Sequence, residues 1–136
     1  MTGIAGIGES GRVEDVGRML DKIGHRGPNG REIIEVKGAI LGVVWSETED
    51  HWIPNMRRQK TVWDTAGRGH FARVDTSSNR LTLTRDDIGV VPLYYGRAND
   101  EALCFGSEVK ALLAVTRDIN ELPPATCFDG VHQVRS

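Results

Sequence analysis

The sequence predicts an α+β fold built on antiparallel sheet, and three observations carry that expectation. Strand-like runs follow one another along the chain, while only two stretches space their apolar residues as a helix would. Neighbouring runs are joined by tight polar turns, such as Lys37-Gly38 and the loop 97–101, which suit hairpins. At 136 residues the chain is expected to form a single domain, residues 1–136, with a sizeable core.

Thr2-Gly3-Ile4-Ala5-Gly6-Ile7 reads as a short buried strand whose glycines admit other backbone closely. Ser10 is placed to cap a helix over 11–23. There Val13, Val16, Met19, Leu20 and Ile23 make one apolar face, and Gly24 would end it. His25-Arg26-Gly27-Pro28-Asn29-Gly30 is a dense turn signal. Strands over 32–36 and 39–45 follow. From Ser46 to Arg68 the periodicity weakens: acidic residues, Pro54 and Arg57-Arg58-Gln59-Lys60 argue against a long element, and a short strand at 61–63 is expected.

The second half is more regular. Strands at 70–74 and 80–84 flank a turn over 75–79, the latter alternating Leu81 and Leu83 with Thr82 and Thr84. A strand pair follows at 92–95 and 102–105. Ser107 is then expected to cap a helix reaching Val115, with Val109, Leu112 and Leu113 inward. After Pro123-Pro124, a last strand over 125–128 turns at Asp129-Gly130.

Composition narrows the function. A net charge of −2 offers no electrostatic footing for nucleic acid or an anionic membrane. No apolar run approaches the roughly 18 residues of a membrane span, and the N-terminus lacks signal-peptide character. A cytoplasmic location, with Cys104 and Cys127 as reduced thiols, is the resulting expectation. His25, His51, His70 and His132 lack metal-ligand spacing, so neither metal nor cofactor is expected.

A strand at the chain terminus has one chemical use. Removal of Met1 would leave Thr2 with a hydroxyl and a free α-amine, and an amine of ordinary pKa about 7.7–8.0 can take the hydroxyl proton near neutral pH. An ordinary first strand suits the same residues, and the residues alone leave both readings open.

Four stretches together resemble a known family. Thr2-Gly3-Ile4-Ala5-Gly6, the His25–Gly30 turn, Leu83-Thr84-Arg85-Asp86-Asp87-Ile88-Gly89-Val90-Val91-Pro92-Leu93-Tyr94-Tyr95 and Phe105-Gly106-Ser107-Glu108-Val109-Lys110-Ala111-Leu112-Leu113 stand in the order seen in class II glutamine amidotransferase domains. The likeness is strongest to the N-terminal glutaminase domain of asparagine synthetases. It implies an N-terminal-nucleophile (Ntn) hydrolase fold, an αββα sandwich of antiparallel sheets, here shortened in the middle. It also implies that Thr2 stands where the family carries a nucleophilic cysteine; Arg26, in the turn motif, is the candidate substrate-binding residue beside it.

Departures from the family pattern matter as much. An alcohol is far less acidic than a thiol and needs a better-placed base. The stretch Leu41-Gly42-Val43-Val44-Trp45-Ser46 holds no arginine to clamp a glutamine carboxylate. The Asn-Gly-Glu oxyanion segment and the aspartate that holds the substrate amine are missing, and the interval before Gly69-His70-Phe71-Ala72 is too short for them. Losing one oxyanion donor typically costs about 10²–10³ in rate, and lost clamps remove orientation too. No Ser-Gly-Gly-x-Asp-Ser type nucleotide loop appears, so asparagine synthesis is not expected of this chain.

Three functions fit these departures. One is a domain without glutaminase activity that binds a synthetase-type enzyme or a second copy of itself. Another is an active N-terminal-threonine amidohydrolase on a smaller amide. The third is a small-molecule sensor in the relic pocket. Arg85-Asp86 and Ser107-Glu108 are expected to fix turns and a helix start, and His70 to be packed or surface-exposed. Trp45, Trp52 and Trp63 either bury against a partner at an exposed sheet edge or fold back into the gap.

Overall fold

The computed structural model describes residues 2–66, 69–76 and 80–135. The chain begins with β1 (Thr2–Ile7), all of it buried, then α1 (Val13–Lys22) and a 3-10 turn at Gly24–Arg26. The hairpin of β2 (Gly30–Val36) and β3 (Ala39–Trp45) follows, turning at Gly38 with φ 81°. Next come a 3-10 segment (Glu47–Trp52), α2 (Ile53–Gln59) and β4 (Thr61–Ala66). β5 (His70–Asp75), β6 (Thr82–Arg85), β7 (Tyr94–Arg97) and β8 (Leu103–Gly106) lead to the short α3 (Val109–Leu112). β9 (Asn120–Glu121), β10 (Thr126–Phe128) and β11 (Gln133–Arg135) complete the described chain.

These strands form two antiparallel sheets. The first is ordered β2-β3-β1-β8-β7-β9 and the second β11-β10-β6-β5-β4. One apolar layer, including Ile4, Leu41, Val43, Val62, Val74, Leu83 and Phe105, lies between the sheets. A second, including Val16, Met19, Leu20, Ile23, Ala111 and Leu112, lies between the first sheet and the pair α1 and α3. The architecture is therefore α+β and compatible with a shortened Ntn-type sandwich. Because side chains alternate along a strand, β1 can feed both layers: Ile4 faces one, Ala5 and Ile7 the other.

The middle of the chain departs from expectation. Pro54 does not stop a helix but sits in the first turn of α2, where its missing N–H has no intrahelical role. Glu49 reaches back to accept from the Ser46 N–H at 3.1 Å, a reciprocal start signal for the 3-10 segment. β4 runs three residues beyond the expected strand. Trp45, Trp52 and Trp63 are half-buried and pack on the layer between the sheets, so they fold back rather than stand clear of the chain.

Other boundaries shift for local reasons. Arg12, not Ser10, precedes α1, and Ile23 rather than Gly24 ends it. Arg12 pairs with Asp15 at 2.5 Å and Glu9 at 2.9 Å, placing opposite charges around that first turn. Ser107 does not cap α3; Glu108 occupies that position, and α3 stops at Leu112. Val109 and Leu113 are consequently exposed. The turn expected over 75–79 lies partly outside the described residues. β9 and β11 carry no apolar periodicity and were not anticipated.

The His25–Gly30 turn is held against β3 by close packing. A Cβ on Gly27 would collide with the backbone of Trp45, and one on Gly30 with its indole ring. Gly24, nearby, has open space. Gly27→Ala is therefore expected to destabilise by about 2 kcal/mol or more, as overpacking does, while Gly24→Ala stays within about 1 kcal/mol. Chemical denaturation of the two variants measures the contrast.

Candidate functional site

Thr2 opens β1 opposite Trp45 of β3 and is fully buried. Its hydroxyl donates to Asp64 Oδ1 at 3.1 Å and lies 3.2 Å from the Trp63 carbonyl oxygen. A hydroxyl has one proton, so these two acceptors compete for it. Asp64 reaches Thr2 from the other sheet because β4 alternates, with Val62 and Asp64 buried on the same side.

Asp64 is the hub. Its Oδ2 accepts from Arg26 Nη2 at 2.6 Å and from the Ser107 hydroxyl at 3.1 Å. Arg26 also donates through Nε to the Thr2 carbonyl at 3.1 Å and through Nη1 to Glu108 at 3.2 Å. The Ser107 oxygen accepts the Ile4 N–H at 2.8 Å, using both of its hydrogen-bonding roles. Glu108 in turn meets His25 Nε2 at 2.9 Å, so the network runs from a buried hydroxyl to an exposed imidazole. Among the described residues, no buried side-chain polar atom is left without a partner.

Burial pushes the Asp64 carboxyl above the ordinary aspartate range; the Arg26 charge and the hydrogen bonds from Thr2, Ser107 and Arg26 oppose it. Burial also raises Glu108, but there the bonds and charges of Arg26 and His25 win and hold it below its usual value. The two acids differ because Asp64 has 1% of its side chain exposed and Glu108 24%.

The two residues singled out from sequence, Thr2 and Arg26, are thus brought together. Met1, whose removal would free the Thr2 amine, lies outside the described residues. Asp64 was missed: its only sequence signal is an acid inside the strand-forming run Thr61-Val62-Trp63-Asp64. Ser107, expected as a cap, instead serves this site. Arg85 does fix its turn, donating to the carbonyls of Val91 (2.9 Å), Leu122 (2.6 Å) and Gly89 (2.5 Å).

What the site can do is limited by its closure. The groups satisfy one another, and none of five surface clefts of the described residues is lined by Thr2, Arg26 or Asp64. Removing one partner of a buried pair strands the other, so Asp64→Ala is expected to cost about 3 kcal/mol. The double variant Asp64→Leu with Arg26→Met should recover most of that loss. A raised folded pKa means that the folded state holds this proton more tightly than the unfolded chain. The stability it confers is complete below the ordinary aspartate pKa and is lost as pH rises through the folded value. The stability difference between wild type and Asp64→Asn should therefore fall as pH rises across that window in denaturant titrations.

A family described as "Glutamine amidotransferase domain" matches residues 43–114, from β3 to just beyond α3. Asparagine synthetase B [glutamine-hydrolyzing] of Escherichia coli (strain K12) is 38% identical over 60 residues, a stretch covering 44% of this chain and 11% of that relative. With more than half of its residues inside the family match and two face-to-face antiparallel sheets, the chain belongs to the glutamine amidotransferase domain family.

Proposed function

We propose that this domain does not hydrolyse glutamine and acts in the cytoplasm as an accessory, protein-binding module of a synthetase-type enzyme. The observation that carries the reading is the closed network at Thr2. Where the resemblance places a cysteine nucleophile, an alcohol is hydrogen-bonded to a carboxylate and a backbone carbonyl. Both of those groups accept, so neither can donate to the oxyanion that would form on a bound amide. Arg26, which bonds the Thr2 carbonyl, spends its other donors on Asp64 and Glu108 rather than on open space. An accessory role accounts for a retained fold around such a site.

One observation favours a second reading, an active N-terminal-threonine amidohydrolase. The Asp64 carboxylate lies within hydrogen-bond reach of the Thr2 hydroxyl, the distance a general base requires. That reading further needs Met1 to be removed, which intact mass spectrometry reports directly. A small residue after the initiator favours removal.

Ammonia release at saturating glutamine tests the first reading, and the mass of the intact chain tests the second. Neither wild type nor Thr2→Cys is expected to show turnover above a heat-inactivated control, because a better nucleophile does not supply the absent donors. Glutamine turnover by the wild type would sink the proposal. Turnover by Thr2→Cys alone would show that substrate binding survives. Retention of Met1 would end the hydrolase reading.

A further inference from the structure

A second cluster, separate from Thr2, lies at the Ala66–His70 end of the β4–β5 pair. His70 opens β5 opposite Ala66, the last residue of β4. The Asp86 carboxylate is fixed at both oxygens: Oδ1 accepts the Phe71 N–H at 3.2 Å, and Oδ2 meets His70 Nδ1 at 3.0 Å. The Asp86 N–H returns a bond to the Phe71 carbonyl at 3.1 Å, so its backbone is fixed too. Burial alone would raise Asp86, yet the bonds from His70 and Phe71 hold it below the ordinary aspartate range. An ionised carboxylate only accepts, so Nδ1 must carry the proton.

That tautomer has a consequence at the other ring nitrogen. In the neutral imidazole, Nε2 is left with a lone pair and no proton. No described residue bonds to it, and the side chain is 25% exposed. The His70 residue helps line a cleft of about 370 Å³ together with Trp52, Thr65, Ala66, Gly69 and Phe71. The walls are mostly apolar, with two aromatic side chains, and the volume is at the small end for ligand sites.

We propose that this cleft binds a small phenol-like molecule, an aromatic ring bearing one hydroxyl that donates to His70 Nε2. The aromatic walls select a flat apolar body. A lone pair held at Nε2 by the Asp86 bond selects a donor and discriminates against an ether of the same shape, which can only accept. The site does not depend on Thr2 or on the fate of Met1.

The test uses 4-methylphenol and 4-methylanisole as probes at pH 8, where imidazole is ordinarily neutral. Imidazole nitrogen NMR of the whole chain should show His70 with Nδ1 protonated and Nε2 bare, with Nε2 shifting as 4-methylphenol is added. Calorimetry should show saturable binding of the phenol and roughly tenfold weaker binding of the ether, the size of one hydrogen bond. His70→Ala should abolish that preference, and Trp52→Ala should weaken both probes. A protonated Nε2, an unmoved His70 signal, equal binding of the two probes or no saturation up to millimolar phenol would each overturn the proposal. The wild-type NMR and calorimetry stand whether or not either variant folds.

Discussion

The Asp64–Arg26 ion pair is the constraint on which this structure turns. It joins the second sheet to the turn after α1, and through Thr2 and Ser107 it reaches both β1 and the chain after β8. A carboxylate with 1% of its side chain exposed is unfavourable unless charge and hydrogen bonds compensate. Here three side chains from three separate segments do so at once. Their geometry specifies how the two sheets meet at this end, because apolar contacts alone tolerate sliding and directed hydrogen bonds to a buried charge do not.

Close backbone packing supports the same end of the sandwich. Gly27 and Gly30 let the turn lie directly on Trp45, and the Asn29 N–H donates to the Trp45 carbonyl at 3.1 Å. This brings Arg26 beside the start of β1. The shortened middle is closed by α2 and β4, with Ile53 and Met56 buried in the layer between the sheets. A segment that looks aperiodic in sequence thereby supplies both the covering helix and the acid at the centre of the site.

Chemistry follows from that arrangement. The groups around Thr2 mostly neutralise one another, whereas among the described residues His70 is bonded through one ring nitrogen only and lines a mostly apolar cleft. The described residues thus hold a closed polar network and a separate, mostly apolar cleft. The two lie on neighbouring strands, yet their electrostatic character differs because Asp64 is enclosed by both sheets and Asp86 pairs with a half-exposed ring.

Much of this was legible in the sequence. Strands alternating or packed with β-branched and apolar residues, such as β1, β3 and β6, announced themselves because burial imposes a period of two on local sequence. The apolar face of α1 and the turn at Gly27 were equally local, as were the motifs from which Thr2 and Arg26 were singled out. Tertiary structure decided the rest. Ser107 looked like a helix cap, but a buried carboxylate forty-three positions away recruited its hydroxyl. Asp64 gave no signal of its role because the partners that compensate it lie thirty-eight or more positions distant, beyond any local window. Likewise the fate of Trp45, Trp52 and Trp63 depended on a gap between sheets that exists only once both are packed. Period and propensity are properties of neighbours in sequence; enclosure of a charge is a property of neighbours in space.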